Sequence, residues 1–358
     1  MKSFSVLISR LSRVVVACGA AAFVVSFAPS AHAITIDWVT VGDRGNPNDT
    51  INTGANYGAV ADSFQIMKFE FTNSQYVDFL NSVDPGGTNP NAVYGTFMGG
   101  DPRGGISFTS GNASGSKYAA RPNMGDKPVN YVSWFDAARV ANWLMNGATG
   151  TSSTETGAYT LNNVISGSAP AVNSGATFYI PTEDQWYKAA YYKGGNTNAG
   201  YWQYATQVTG TANAPTAVNA TTVGTGTFGS VSPVVSGNFA NYASGADWNG
   251  QDGNVTTVGT NGGASAYGTF DMSGNVFEWN DLTGSAGSSR GLRGGTWTNS
   301  ASFLSSSSRV VYDPSFGVDV TGFRLARPVA VPEPSTYAMA LAGLACGGYS
   351  IFRRRRAR

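Results

Sequence analysis

Cysteine and histidine are almost missing from this 358-residue chain, which has two cysteines, Cys18 and Cys346, and one histidine, His32. All three lie in terminal segments that read as processing signals, so the stretch between them is expected to have no thiol, disulfide or imidazole. That excludes thiol nucleophiles, Ser-His-Asp triads, zinc held by Cys and His, and haem ligated by His. Charge is scarce as well, at 12% of residues. Of 22 basic and 21 acidic groups, eight basic and one acidic fall in the two ends. The remainder therefore carries an excess of about six acids. An acidic domain argues against nucleic acid as a partner.

Long apolar runs occur only at the ends. Lys2, Arg10 and Arg13 precede Val14–Ala28, and Ala31-His32-Ala33 offers the small residues that signal peptidase reads before Ile34. A retained signal anchor is the alternative. At the other end, Val331-Pro332-Glu333-Pro334 is followed by apolar Thr336–Phe352 and then by Arg353–Arg356 and Arg358. Such a segment can just cross a bilayer, with its arginines held in the cytoplasm. The order of these parts resembles the PEP-CTERM sorting signal of Gram-negative bacteria, with a plain tail anchor as the alternative. The resemblance implies transient membrane insertion through the tail and processing by an exosortase. It also implies export to the cell envelope or extracellular matrix. The expected division is 1–33 signal peptide, 34–330 domain, and 331–358 sorting signal.

Within the domain, Ile34–Val41 and Phe64–Phe71 read as strands. Thr72-Asn73 starts a helix carrying Tyr76, Phe79 and Leu80 that should stop before Pro85. Glycine-rich Asn89–Lys127 reads as a long ordered loop. Ser133 with Asp136, and Thr182 with Gln185, have capping-box spacing ahead of helices containing Trp143 and Trp186. Trp134 and Trp143 are expected in the core. Thr151–Ala176 reads as hairpin or loop, and Phe178–Ile180 as a short strand. Val208–Gly237, nearly uncharged, reads as exposed hairpins or a mobile insert. Short helices scattered among short strands predict one α+β domain rich in irregular structure. Its interior is expected around Ala266–Trp279.

Five stretches carry a family resemblance. They are Lys68-Phe69-Glu70-Phe71-Thr72-Asn73-Ser74-Gln75-Tyr76, Pro128-Val129-Asn130-Tyr131-Val132-Ser133-Trp134, Pro181-Thr182-Glu183-Asp184-Gln185-Trp186, Gly274-Asn275-Val276-Phe277-Glu278-Trp279, and Arg293-Gly294-Gly295-Thr296-Trp297 with Gly322-Phe323-Arg324. Together they resemble the formylglycine-generating enzyme, or sulfatase-modifying factor, domain from about Ile34 to Arg327. The resemblance implies a variant of the C-type-lectin-like fold. It also implies an activity, oxidation of a sulfatase cysteine to formylglycine by two copper-binding cysteines. Counted from Arg293, those two positions are Asn299 and Leu304 here. Neither can ligate copper as a thiolate does. A related branch of the family uses iron held by histidine, which this domain also lacks.

Oxygen ligands remain. Asp271 and Glu278 flank Gly274 and Val276 on a turn that can aim carbonyls inward, a mixture of oxygens suited to Ca²⁺. By resemblance these four residues match one calcium site of the family. A second would comprise Asn241, Tyr242, Asp252 and Asn254. The alternative is a turn held by hydrogen bonds of the two acids without metal. Arg293 and Arg324 are expected to pair internally with carboxylates such as Glu278. The resemblance places Thr298–Asp319 along a surface groove, where Asn299, Arg309, Tyr312 and Phe316 are candidates for binding a sugar or peptide. An ordinary solvated loop is the competing reading there. The function read from the sequence is an exported, non-catalytic surface or matrix protein binding glycan or protein. A family enzyme with altered chemistry and a purely structural exported domain are the alternatives.

Overall fold

The computed structural model describes residues 34–52, 56–206, 216–217, 226 and 238–329. Strands β1 (Trp38–Val41) and β2 (Phe64–Met67) pair antiparallel, with Trp38 opposite Met67 and Val41 opposite Phe64. Both are shorter than the alternation in sequence suggests. After Met67 the backbone leaves the pair. The amide of Lys68 donates to the Asp37 carbonyl at 2.8 Å and that of Phe71 to the Phe323 carbonyl at 2.9 Å. The segment thus threads between distant parts of the chain.

Three helices begin by one device. In α1 (Asn73–Val83), α3 (Trp134–Met145) and α4 (Glu183–Tyr191) the N-caps Thr72, Ser133 and Thr182 bond the backbone of Gln75, Asp136 and Gln185, whose side chains bond back. Each capping box satisfies two amides that the first turn would leave orphaned. Helix α1 stops at Asp84, whose carboxylate accepts from the amides of Thr88 and Asn89, both at 2.8 Å, just before Pro85. Between α1 and α3, where a loop was expected, lie the single turn α2 (Phe97–Gly100) and a hairpin of β3 (Ile106–Phe108) and β4 (Tyr118–Ala120). Strands of three residues are too short to show period-two alternation. Phe178–Ile180 forms no strand; only Tyr179 bridges, to Ala326.

Most of Val208–Gly237 lies outside the described residues. Strand β5 (Thr216–Ala217) within it pairs in parallel with β6 (Phe239–Ala240). The second half of the domain builds a four-stranded sheet from β7 (Phe277–Asn280), β8 (Arg290–Arg293), β9 (Val310–Tyr312) and β10 (Thr321–Gly322), in the order β10-β7-β8-β9. The last strand, β11 (Ala326–Pro328), returns to pair with β2, so both ends of the domain share one sheet. The fold is α+β, with few helices, short strands and much loop.

Trp134, Trp143, Trp186 and Trp279 are all fully buried, as the sequence predicts for the first two. One apolar cluster joins α1 and α3 to Trp279, Leu292 and Phe323, and a second gathers around Trp186, Tyr187 and Tyr191 of α4. Indole nitrogens buried at this depth need acceptors. Trp279 finds the Val132 carbonyl at 3.1 Å, and Trp186 finds a carboxylate on β7. The core is thus tied to the polar interior described next.

Candidate functional site

The dense stretch around Ala266–Trp279 becomes the most polar part of the interior. Asp271 and Asn275 adopt left-handed conformations, with φ of 60° and 63°, a region Asp and Asn tolerate better than most residues. Between them Gly274, at φ 91°, lies against the Asn241 carbonyl; a Cβ there would sit 2.3 Å from that oxygen. The close approach lets the Asn275 amide donate to Asn241 O at 2.8 Å and the Gly274 amide to Gly294 O at 2.8 Å. The turn is therefore stapled to two other segments.

Glu278 is fully buried on β7. It accepts from Arg324 Nε at 2.5 Å and NH2 at 2.6 Å, and from Trp186 Nε1 at 2.8 Å. Arg324 also donates to the carbonyls of Met67, Lys68 and Phe270. Asp271 accepts from the Gly259 amide at 2.5 Å and from Asn261 Nδ2 at 2.8 Å, while burial pushes its carboxyl up to about 6. A third acid, Glu70, faces the same space. Its Oε2 accepts from Asn275 Nδ2 at 3.1 Å and its Oε1 has no partner. Burial, then the charges of Asp271 and Glu278, push the Glu70 carboxyl well above the usual carboxylate range. Three buried carboxyls thus share one guanidinium.

This arrangement bears on the two candidate cation sets. In the first, the oxygens of Asp271 and Glu278 all accept from protein donors, and Arg324 already supplies positive charge. These residues as arranged do not fit a divalent cation, because the guanidinium sits where Glu278 would need the metal. In the second set, Asn241 Nδ2 donates to Asn254 O at 2.8 Å, Thr256 Oγ1 at 3.2 Å and Asn275 Oδ1 at 3.1 Å, leaving the buried Asn241 Oδ1 without a partner. The Tyr242 carbonyl accepts from the Gly245 amide at 3.1 Å, and Asp252 is exposed. A buried amide oxygen with a free lone pair is a donor of the kind Ca²⁺ takes. Among the described residues no group of three or more His, Cys, Asp and Glu is placed to hold a metal ion.

The other motif arginine, Arg293, closes β8. Its guanidinium lies over the rings of Tyr57 and Tyr187, 4.8 and 5.0 Å from their centroids, and pairs with Glu183 of α4 at 2.7 Å. It also donates to the carbonyls of Ser306 and Ser308 at 3.1 and 2.8 Å. Glu183 is shared: Arg309 Nε donates to its two oxygens at 2.8 and 2.9 Å. Internal pairing therefore accounts for Arg293, Arg309 and Arg324. Sequence reasoning expected it for Arg293 and Arg324, and treated Arg309 as free for a ligand.

Asn299 and Leu304 are the two positions that the resemblance matches to the family's cysteines. Leu304 is buried, with its Cδ1 packed against Gly295. Asn299 donates its amide to Thr296 O at 3.2 Å and accepts from the Ala243 amide at 2.9 Å, while its Oδ1 has no partner. Of the four proposed groove residues, Tyr312 and Phe316 are in contact. Arg309 directly precedes β9 and shares Glu183 with Arg293. Tyr312, opposite Arg290 across β9, stacks on Phe316 with centroids 4.4 Å apart and planes 15° from parallel. Tyr312 is 43% exposed. A second stacked pair was not foreseen. Phe97, 65% exposed, lies on Tyr131 at 5.9 Å and 21°. The segments are joined, since the Tyr131 amide donates to Val318 O and that of Trp134 to Pro314 O, both at 2.9 Å. Nothing local in the sequence marks Phe97 or Tyr57. Glu70 carried a signal: it falls in phase with Phe64 and Ile66 on the buried side of an alternating stretch.

The sorting motif Val331-Pro332-Glu333-Pro334, the apolar tail and the N-terminal segment lie outside the described residues. Among the described residues no helix is long and apolar enough to cross a membrane. Residues 37–329 match the profile of the sulfatase-modifying factor enzyme 1-like domain, and residues 330–356 match that of the PEP-CTERM protein-sorting motif. Among solved structures, Treponema denticola variable protein 1 aligns at 20% identity and TM-score 0.47, over 84% of this chain and 98% of that one. CarF aligns at 22% and 0.43, over 83% and 99%. PvdO from Pseudomonas aeruginosa aligns at 17% and 0.36, over 83% and 93%. No curated protein matches.

Proposed function

The chain belongs to the sulfatase-modifying factor enzyme 1-like domain family, and from that premise we propose that its domain is a non-catalytic binding module displayed outside the cell. The sorting motif marks an exported, surface-sorted protein of the Gram-negative type, processed by an exosortase. The processed form proposed here runs from residue 34 to about residue 330, after removal of the first 33 residues by signal peptidase. One observation supports the non-catalytic reading: the only cysteines are Cys18 and Cys346, so the positions that the resemblance matches to the family's copper-binding cysteines, Asn299 and Leu304, hold no thiol. An amide and a packed isobutyl group supply neither a thiolate nor a redox couple.

The binding face proposed is the exposed aromatic surface of Tyr312 and Phe316, extended by Phe97 and Tyr131. Flat rings open to solvent on one side offer the faces on which sugar rings stack. Glycan is therefore the favoured ligand, ahead of protein. A glycan array probed with the processed domain is expected to show binding that Tyr312→Ala abolishes without lowering the melting temperature. Binding unaffected by that change, or no glycan bound at all, would remove this reading. For a cation, we propose calcium at Asn241, Tyr242, Asp252 and Asn254, supported by the partnerless Asn241 Oδ1.

A further inference from the structure

We propose that the cavity at the start of α4 is a binding pocket for one neutral pyranose ring, separate from the Tyr312 and Phe316 face. The cavity holds about 210 Å³ and lies between the turn at Val172–Ala176, the entry into α4, and Asp281. Pockets for drug-sized ligands run from about 300 to 1,000 Å³, so this one takes a single ring and not a chain. Val172, Ala176 and Ile180 give it apolar walls.

Its polar groups set the ligand's chemistry. Asn173 spends its amide nitrogen on Gly157 O at 2.9 Å and Thr160 Oγ1 at 3.1 Å, so Oδ1 is open as an acceptor. Tyr179 accepts from Gln185 Nε2 at 3.1 Å and Thr182 Oγ1 accepts from the Gln185 amide at 3.3 Å. Both hydroxyls keep their protons to donate. The capping box fixes Thr182 and Gln185, so these groups are held in place before a ligand arrives. One acceptor and two donors around apolar walls match a ring that carries hydroxyls on its edge and C–H groups on its face. A purely apolar ring would leave those groups desolvated and unpaired.

Charge is balanced at the base. Asp281 Oδ1 pairs with Arg290 Nε at 2.7 Å and Oδ2 accepts from Tyr159 Oη at 3.1 Å. A charged sugar would find no counter-ion to offset its desolvation.

Saturation-transfer NMR with neutral methyl pyranosides, and methyl glucuronide as the charged comparison, tests this on the processed protein. At least one neutral pyranoside is expected to receive saturation and the glucuronide none. Ala176→Trp, which fills the cavity, should abolish the transfer, and Tyr312→Ala should leave it unchanged. If Ala176→Trp does not fold, Asn173→Ala is read instead and should weaken the transfer. Absence of transfer to every neutral pyranoside overturns the proposal. So does equal transfer to the glucuronide, transfer that survives in a folded Ala176→Trp, transfer undiminished in Asn173→Ala, or transfer lost in Tyr312→Ala. The glycan face stands or falls on Tyr312 alone, so the two readings fail separately.

Discussion

Glu70 is the residue whose environment is most at odds with its chemistry. It is fully buried, half satisfied, and set beside two other acids and a single guanidinium. An ionised carboxylate there would meet both desolvation and like charge, so its proton is held to higher pH than that of an ordinary carboxyl. Its folded pKa is raised, so the proton it carries stabilises the fold fully below the ordinary carboxylate range. That contribution is lost as pH rises through the folded value. Asp271, pushed up to about 6, adds in the same direction. Glu70→Gln substitutes a permanently neutral group. Thermal melts from about pH 5 to about pH 9 should show a smaller decline for this variant than for the parent. An equal or steeper decline would mean that Glu70 is ionised in the folded state. The partners of Arg324 were half legible in the sequence, since a GFR motif and an acid in FEW suggest a pair. Glu70 was not assigned, because its neighbours in space, Asp271 and Glu278, lie some two hundred residues away.

Among elements, the capped helices and the first two strands were readable and the later strands were not. Thr72, Ser133 and Thr182 each precede an amide or acid side chain by three residues, and capping needs only local chain geometry. The strands are two to four residues long, and β10 exists only because Thr321 and Gly322 lie beside Phe277 and Glu278. Pairing of that kind is decided by tertiary packing, and no sequence window contains it. The cap makes a specific prediction. Thr72→Ala removes the oxygen that accepts from the Gln75 amide and should destabilise the domain by about 1 kcal/mol in chemical denaturation, with Thr72→Ser restoring most of it. Loss in both variants alike would assign the effect to the Thr72 methyl group and leave the cap without a role. The two stacked aromatic pairs belong to this scale as well. Each joins the end of a short element to a loop, Tyr312 of β9 with Phe316 and Phe97 of α2 with Tyr131, and loop conformation has no periodicity to read.

At the scale of the whole molecule, family and destination were written in short, widely separated words, and the fold follows from them. The cation inventory was not legible to the same degree. Two oxygen sets looked alike in sequence, yet one is filled by Arg324 and the other keeps Asn241 Oδ1 free. Calorimetric titration of the chelator-treated domain should find one calcium site, and Asn241→Ala should remove it. Two sites, or none, would contradict the assignment.

The account rests on the proposal that this scaffold does not perform the family's thiol chemistry. The most direct measurement incubates the processed domain with a cysteine-bearing sulfatase peptide, copper and oxygen, and traps any aldehyde for mass spectrometry. No formylglycine above the peptide-alone control is predicted; aldehyde formed in proportion to the protein would contradict it.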